Sequence, residues 1–233
     1  MAWQLGCGSL EARHRREIGE SLLLIYKKFF TLGEEIFNAV THGVGAALAI
    51  AATVLMLIRS ASVGAMAVVS CAIYGASLII LYTMSTLYHA LSARTAKAVM
   101  RIFDHCTIFV LIAGTYTPFC LVLLGGAWGW SIFGAIWGLT ALGITLNAID
   151  LEKYKVFSMI SYIAMGWCVL MVAGKVISAL GFWGTAFLLT GGIAYTAGIG
   201  FFASKKKYFH SIWHFFVLAG SILHFFCVYF YVL

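Results

Sequence analysis

Apolar stretches of bilayer-spanning length follow one another along most of this sequence, and that succession limits the fold more than any other feature. A transmembrane helix needs about 20 mostly apolar residues. Suitable stretches are Phe37–Ile58, Ala65–His89, Ile102–Leu124, Trp128–Ile149, Val156–Gly174, Phe182–Ala203 and Ile212–Leu233. The composition agrees: 63% of the 233 residues are hydrophobic, 10% are charged, and the mean hydropathy is +0.99. Soluble domains do not have that balance. The runs lack the alternating polar and apolar period of a barrel strand, which excludes a transmembrane β-barrel. The expected fold class is therefore an all-α integral membrane protein, a seven-transmembrane helix bundle. Short links between spans make sequential neighbours antiparallel, and each backbone amide is satisfied within its own helix.

Lysine and arginine positions orient the bundle. With the N-terminus inside, the cytoplasmic segments carry Arg13, Arg15, Arg16, Lys27, Lys28, Arg94, Lys97, Arg101, Lys153, Lys155, Lys205, Lys206 and Lys207, against Arg59 and Lys175 outside. Such an excess places the N-terminus in the cytoplasm and, after an odd number of spans, the C-terminus outside. It also accounts for the net charge of +7 as attraction to anionic headgroups, with no nucleic acid partner implied. The expected location is the inner (plasma) membrane, multi-pass. Two regions are expected: a basic cytoplasmic segment over 1–33 and a transmembrane domain over 34–233. The stretch before Phe37 lacks the short apolar core of a cleavable signal, so the first span is expected to direct insertion. Ser21–Phe30 reads either as a short stretch lying along the inner headgroups or as a basic tail. Six cysteines without paired spacing predict no disulfides. Gly134 and Gly138 in the fourth span, and Ala194 with Gly198 in the sixth, predict close helix contacts. Pro118 predicts a kink whose freed carbonyl Thr115 or Thr117 would satisfy.

Ionisable groups in a bilayer are costly, so those present face the bundle interior and mark a site. Ser85 and His89 end the second span, Asp104 and His105 begin the third, and His210 and His214 begin the seventh. All fall at the cytoplasmic face, although depth played no part in orienting the chain. Ser85-x3-His89 and His210-x3-His214 each place two polar side chains one turn apart on a single helix face. His89, His210 and His214 would supply three neutral nitrogen ligands, the usual set for a zinc with a fourth position open to water. Asp104 is then the partner or general base for that water. A single histidine at a helix end is more often a hydrogen-bonding residue, and HxxxH alone is a weak signal; the convergence at one depth favours the metal. His42 reads as a second-layer group or a helix-end hydrogen bond, and His105 as a packing residue. Glu34 and Glu35 read as solvated or paired with basic loops, and mid-span His224 as a bond to another helix.

The stretch Glu34-Glu35-Ile-Phe-Asn38-Ala-Val-Thr41-His42-Gly43, then Ser85-Thr-Leu-Tyr-His89, then Asp104-His105 leading to Gly114-Thr-Tyr-Thr-Pro118, and finally His210-Ser-Ile-Trp-His214, resembles the bacterial hemolysin III proteins. These are related to the progestin and adipoQ receptors and more distantly to alkaline ceramidases. The resemblance implies zinc (Zn2+) held by His89, His210 and His214, with Asp104 and Ser85 beside it as catalytic residues. Two functions follow as expectations. One is a zinc-dependent hydrolase of a membrane lipid amide or ester. The alternative is a non-enzymatic protein with structural zinc that affects membrane permeability, in the sense of cytolysis.

Overall fold

The structure, a computed structural model, describes residues 30–233. Segment 1–29, and with it all of Ser21–Phe30 except its last residue, lies outside the described residues. The described chain is helical throughout: α1 Leu32–Ser60, α2 Ala65–Ala90, α3 Arg94–Pro118, α4 Gly126–Ile149, α5 Lys155–Gly166, α6 Ala173–Phe202 and α7 Phe209–Cys227. A π segment, Phe119–Leu124, prolongs α3; a 3-10 turn, Cys168–Val172, joins α5 to α6; and a second π segment, Val228–Val232, prolongs α7.

Helix α1 starts where the sequence supplies a cap. Thr31 and Glu34 form a reciprocal capping box, with the Glu34 carboxylate accepting from Thr31 N at 2.8 Å. Six stretches among the described residues are long and apolar enough to cross a membrane, and one of them, Lys155–Phe202, is 48 residues long. Helical geometry fails inside it at Gly181, where φ is 65° and ψ is −170°. A side chain there would be strained, and glycine is not. Trp167 Nε1 donates to Thr196 Oγ1 at 3.0 Å across 29 residues. A straight helix would hold residues so far apart in sequence at about 43 Å. The chain therefore doubles back at Gly181, and α5 with the start of α6 runs antiparallel to the rest of α6.

Burial is arranged as lipid solvation demands. Val40, Val44, Ile58, Ile149, Phe182 and Trp183 are exposed, whereas Asn38, His42, Ser85, His89, Asn147 and His214 are buried. The apolar core closes around Met56, Tyr74, Phe109 and Met165. Cys71, Cys106, Cys120, Cys168 and Cys227 are free thiols, as expected for those positions.

Two packing expectations need correction. Cβ atoms added at Gly134 or Gly138 would meet nothing within 4 Å, so this GxxxG does not form a contact within the bundle. The buried face of α4 is instead Gly129, Ile132, Ile136, Thr140, Gly143 and Asn147, with Gly143 seated over the Phe109 ring. Gly198 does pack closely, since its Cβ would fall 2.6 Å from Trp213. The second correction concerns Pro118. The α-helix ends there and the chain continues as wider π turns, with Gly125 N reaching Cys120 O at 3.0 Å. Thr115 and Thr117 hydroxyls bond Leu111 O and Ala113 O, not the carbonyl that the proline leaves without a donor.

Candidate metal centre

The end of α2 and the start of α7 meet beside the first turns of α1 and α3. Four-residue spacing sets Ser85 with His89 on one face of α2, and His210 with His214 on one face of α7. Ser85, His89 and His214 are 2%, 3% and 1% exposed. One nitrogen from each of His89, His210 and His214 falls within 4.8 Å of the others, so this group could hold a metal ion. His89 Nε2 and His210 Nε2 are buried with no hydrogen-bond partner among the described residues, which a purely structural packing of imidazoles leaves unexplained. These donors fit zinc, which favours imidazole nitrogen.

Helix α1 provides none of the three histidines, yet it fixes how they are presented. Its Glu35 carboxylate lies 2.7 Å from His89 Nδ1, and its Thr41 hydroxyl lies 3.2 Å from His214 Nδ1. Asn38 Oδ1 accepts from Ser211 Oγ at 2.6 Å, and Glu34 Oε1 accepts from Tyr208 N at 2.7 Å. Tyr208 begins α7 in the left-handed region, φ 62°, an unusual conformation for a side chain of that size. Its amide bond to Glu34 therefore anchors a strained turn two residues before His210. Glu35 does pair with a basic residue of the expected cytoplasmic link, Lys97, at 2.9 Å. The contacts of both carboxylates with the histidine-bearing helices α2 and α7 go beyond the expectation of solvated or loop-paired groups. The available signal was their helical phase: Glu34, Asn38 and Thr41 repeat at i, i+4 and i+7 and face α7 together.

Asp104 comes from α3, its side chain 13% exposed, with the Ser85 hydroxyl beside its carboxylate. His105 points elsewhere: its Nδ1 meets Arg101 O at 2.9 Å, and its ring lies against Phe202. Arg101, one turn earlier, hydrogen-bonds Glu152 in the loop after α4 and holds that carboxyl below its usual range. His42 stacks on His214 with ring centroids 3.6 Å apart, and neither of its nitrogens has a partner among the described residues. Among the described residues, His42 thus makes no helix-end hydrogen bond through its ring.

Ser85, Asp104, His210 and His214 lie at one end of a cavity enclosing about 1130 Å³ of atom-free space, part of it open to the surroundings. Deeper in, the cavity passes Thr115, Tyr116, Trp167, Tyr195, Thr196 and His224. Most of their polar atoms turn back into the protein. Thr115 donates to Leu111 O, Tyr116 to Gly166 O and Trp167 to Thr196, while Tyr195 bonds Ser221. His224 Nε2 meets Leu188 O at 3.1 Å, the interhelical bond expected of it; its Nδ1 has no partner among the described residues. The deep lumen is thus walled mainly by hydrocarbon and ring faces.

A multi-pass membrane bundle with a three-histidine group, two of whose members line one end of a largely apolar cavity, is the class that fold and site define. Residues 30–225 match the family described as haemolysin-III related, and the chain belongs to that family. It is 43% identical over 202 residues to Hemolysin-3 of Bacillus cereus, covering 86% of this chain and 92% of the relative. It is 41% identical over 204 residues to the Hemolysin-3 homolog of Bacillus subtilis (strain 168), covering 87% and 96%. A more distant relative is the human monocyte to macrophage differentiation factor, 29% identical over 165 residues and 67% of each chain.

Proposed function

We propose that the protein is a zinc-dependent hydrolase of a membrane lipid amide or ester, with its centre at the cytoplasmic face of a seven-span bundle. One observation carries this reading. His210 and His214 of the three-histidine group line one end of a cavity together with Asp104 and Ser85, and the remaining wall suits an alkyl chain.

His89, His210 and His214 would hold the ion, which when bound acts as a Lewis acid and brings the pKa of water toward about 7. The chain's own residues then have distinct tasks. The apolar lumen seats the lipid chain and excludes water, setting the carbonyl group at the polar end. Asp104 accepts the proton of the attacking water at its carboxylate. It returns that proton to the leaving nitrogen or oxygen as the carbon–heteroatom bond breaks. Ser85 Oγ donates a hydrogen bond to the carbonyl oxygen as negative charge builds there.

The reversal at Gly181, which divides the 48-residue stretch into two antiparallel parts, supports the reading of seven crossings. The basic residues support a cytoplasmic N-terminus. Trp128, Trp130, Phe182 and Trp183 are exposed at the opposite end, the pattern of an interfacial aromatic belt.

Protein purified gently without chelator should carry about one zinc per chain, and His210→Ala should lose it. Asp104→Asn keeps the size but not the charge, so it should retain zinc and lose turnover of lipid amides or esters. An Asp104→Asn protein with both zinc and full biological activity refutes the hydrolase and leaves structural zinc as the reading.

A further inference from the structure

Glu35 stands apart from the other α1 residues at the centre because it joins three helices. Its Oε2 lies 2.7 Å from His89 Nδ1, and its Oε1 lies 2.9 Å from Lys97 Nζ on the first turn of α3. Lys97 is itself held in place: its ammonium donates to Tyr88 O at 2.9 Å and Leu91 O at 3.3 Å. Those are carbonyls at the C-terminal end of α2, which have no partner within their own helix and which attract a cation. The lysine is 6% exposed. A buried ammonium and a largely buried carboxylate are each costly alone and tolerable when paired and hydrogen-bonded.

This arrangement has a chemical consequence. A carboxylate only accepts hydrogen bonds, so Glu35 requires the proton of His89 on Nδ1. Nε2 then carries the lone pair, and it is Nε2 that is buried without a hydrogen-bond partner among the described residues, beside His210 and His214. With Oε1 pinned by Lys97, the carboxylate cannot rotate away, and the imidazole is fixed in both tautomer and direction. Carboxylates behind a ligating histidine raise its basicity in the same way at other metal sites.

We infer that Glu35 is a positioning residue for metal binding, holding His89 as the Nδ1–H tautomer with Nε2 aimed at the centre, and that Lys97 locks the carboxylate in place. The inference rests on the reading of the three histidines as zinc ligands. It assigns a role in metal capture to a helix that supplies none of those three.

The test uses the full chain in detergent and measures zinc affinity by competition with a chelator, for wild type, Glu35→Ala and Glu35→Gln. Alanine leaves Nδ1–H without its acceptor and should weaken zinc by about 10- to 100-fold. Glutamine keeps an acceptor oxygen at that distance and should fall between alanine and wild type. Nitrogen-15 NMR of histidine-labelled, zinc-loaded wild type should show His89 protonated on Nδ1, identified by its loss in His89→Gln. A residue that merely stapled helices would lower thermal stability without giving this order of affinities or this tautomer. Wild-type zinc affinity in Glu35→Ala overturns the inference, as does a His89 protonated on Nε2. If Glu35→Ala does not fold, the glutamine variant and the tautomer decide. A wild-type chain that binds no zinc overturns the metal reading and the inference together. Zinc bound equally by wild type and Glu35→Ala overturns the inference alone.

Discussion

Glu34→Ala isolates what holds α7 in place beneath its two histidines. The 5%-exposed carboxylate accepts from Thr31 N and Thr31 Oγ1, both at 2.8 Å, and from Tyr208 N at 2.7 Å. Losing the capping box at α1 costs about 1 kcal/mol. The bond to Tyr208 N is made by an ionised acceptor, and bonds of that kind contribute about 1.5–3 kcal/mol. Without it, the amide of the left-handed Tyr208, a conformation that itself costs about 1–2 kcal/mol, loses its acceptor on α1. The total loss should be about 2–4 kcal/mol, which for a chain of this size lowers the midpoint by on the order of 5–15 °C. Thermal unfolding of purified protein in detergent, followed by circular dichroism, gives the value. Zinc affinity should fall in parallel, because His210 is two residues beyond the released turn. A loss below about 0.5 kcal/mol, the range of an ordinary surface substitution, would show that Tyr208 N finds another acceptor, and the anchoring argument would fail.

Three further outcomes are expected. Gly143→Val drives a side chain into Phe109, whose ring atoms lie 2.3–2.5 Å from the added Cβ, and should cost about 1–3 kcal/mol of thermal stability. Gly138→Ala, in open space, should be neutral within about 0.5 kcal/mol, and an equal loss in both variants would refute the packing assignment. The Arg101–Glu152 pair, with the Glu152 side chain 52% exposed, should contribute well under 1 kcal/mol in a double-mutant cycle. Because Arg101 holds the Glu152 carboxyl below its usual range, that coupling should be present at neutral pH and vanish as acid protonates the carboxylate. A coupling that survives at low pH would show that charge is not its source. Reporter fusions should score cytoplasmic at Lys206 and external after Leu233; an external score at Lys206 reverses the proposed orientation.

The membrane class and the position of the site along the chain were legible in the sequence because both depend on local quantities. Hydropathy over about 20 residues reports whether a helix can lie in lipid. The spacings Ser85-x3-His89 and His210-x3-His214 are fixed by helix geometry before any helix packs. That is why the three histidines, with Asp104 and Ser85, could be grouped by depth alone. Helical phase gives directions only relative to a helix's own axis, and the neighbour a face meets is a tertiary fact. Glu34 and Glu35 are adjacent and about 100° apart on α1. Only the packing of α2, α3 and α7 around them sent one carboxylate to Tyr208 N and the other to His89 and Lys97. The same limit explains Gly134 and Gly138, whose motif is that of a contact face although α4 packs through Gly129, Ile136 and Gly143. It also explains the cavity. Thr115, Trp167, Tyr195 and His224 are polar in sequence, but the bonds that turn most of their polar atoms away from the lumen are made to atoms at least four residues away, most of them on other helices. The sequence supplied apolar side chains such as Ile108, Ile112 and Met159, and the tertiary structure decided that they, and not those polar atoms, face the space.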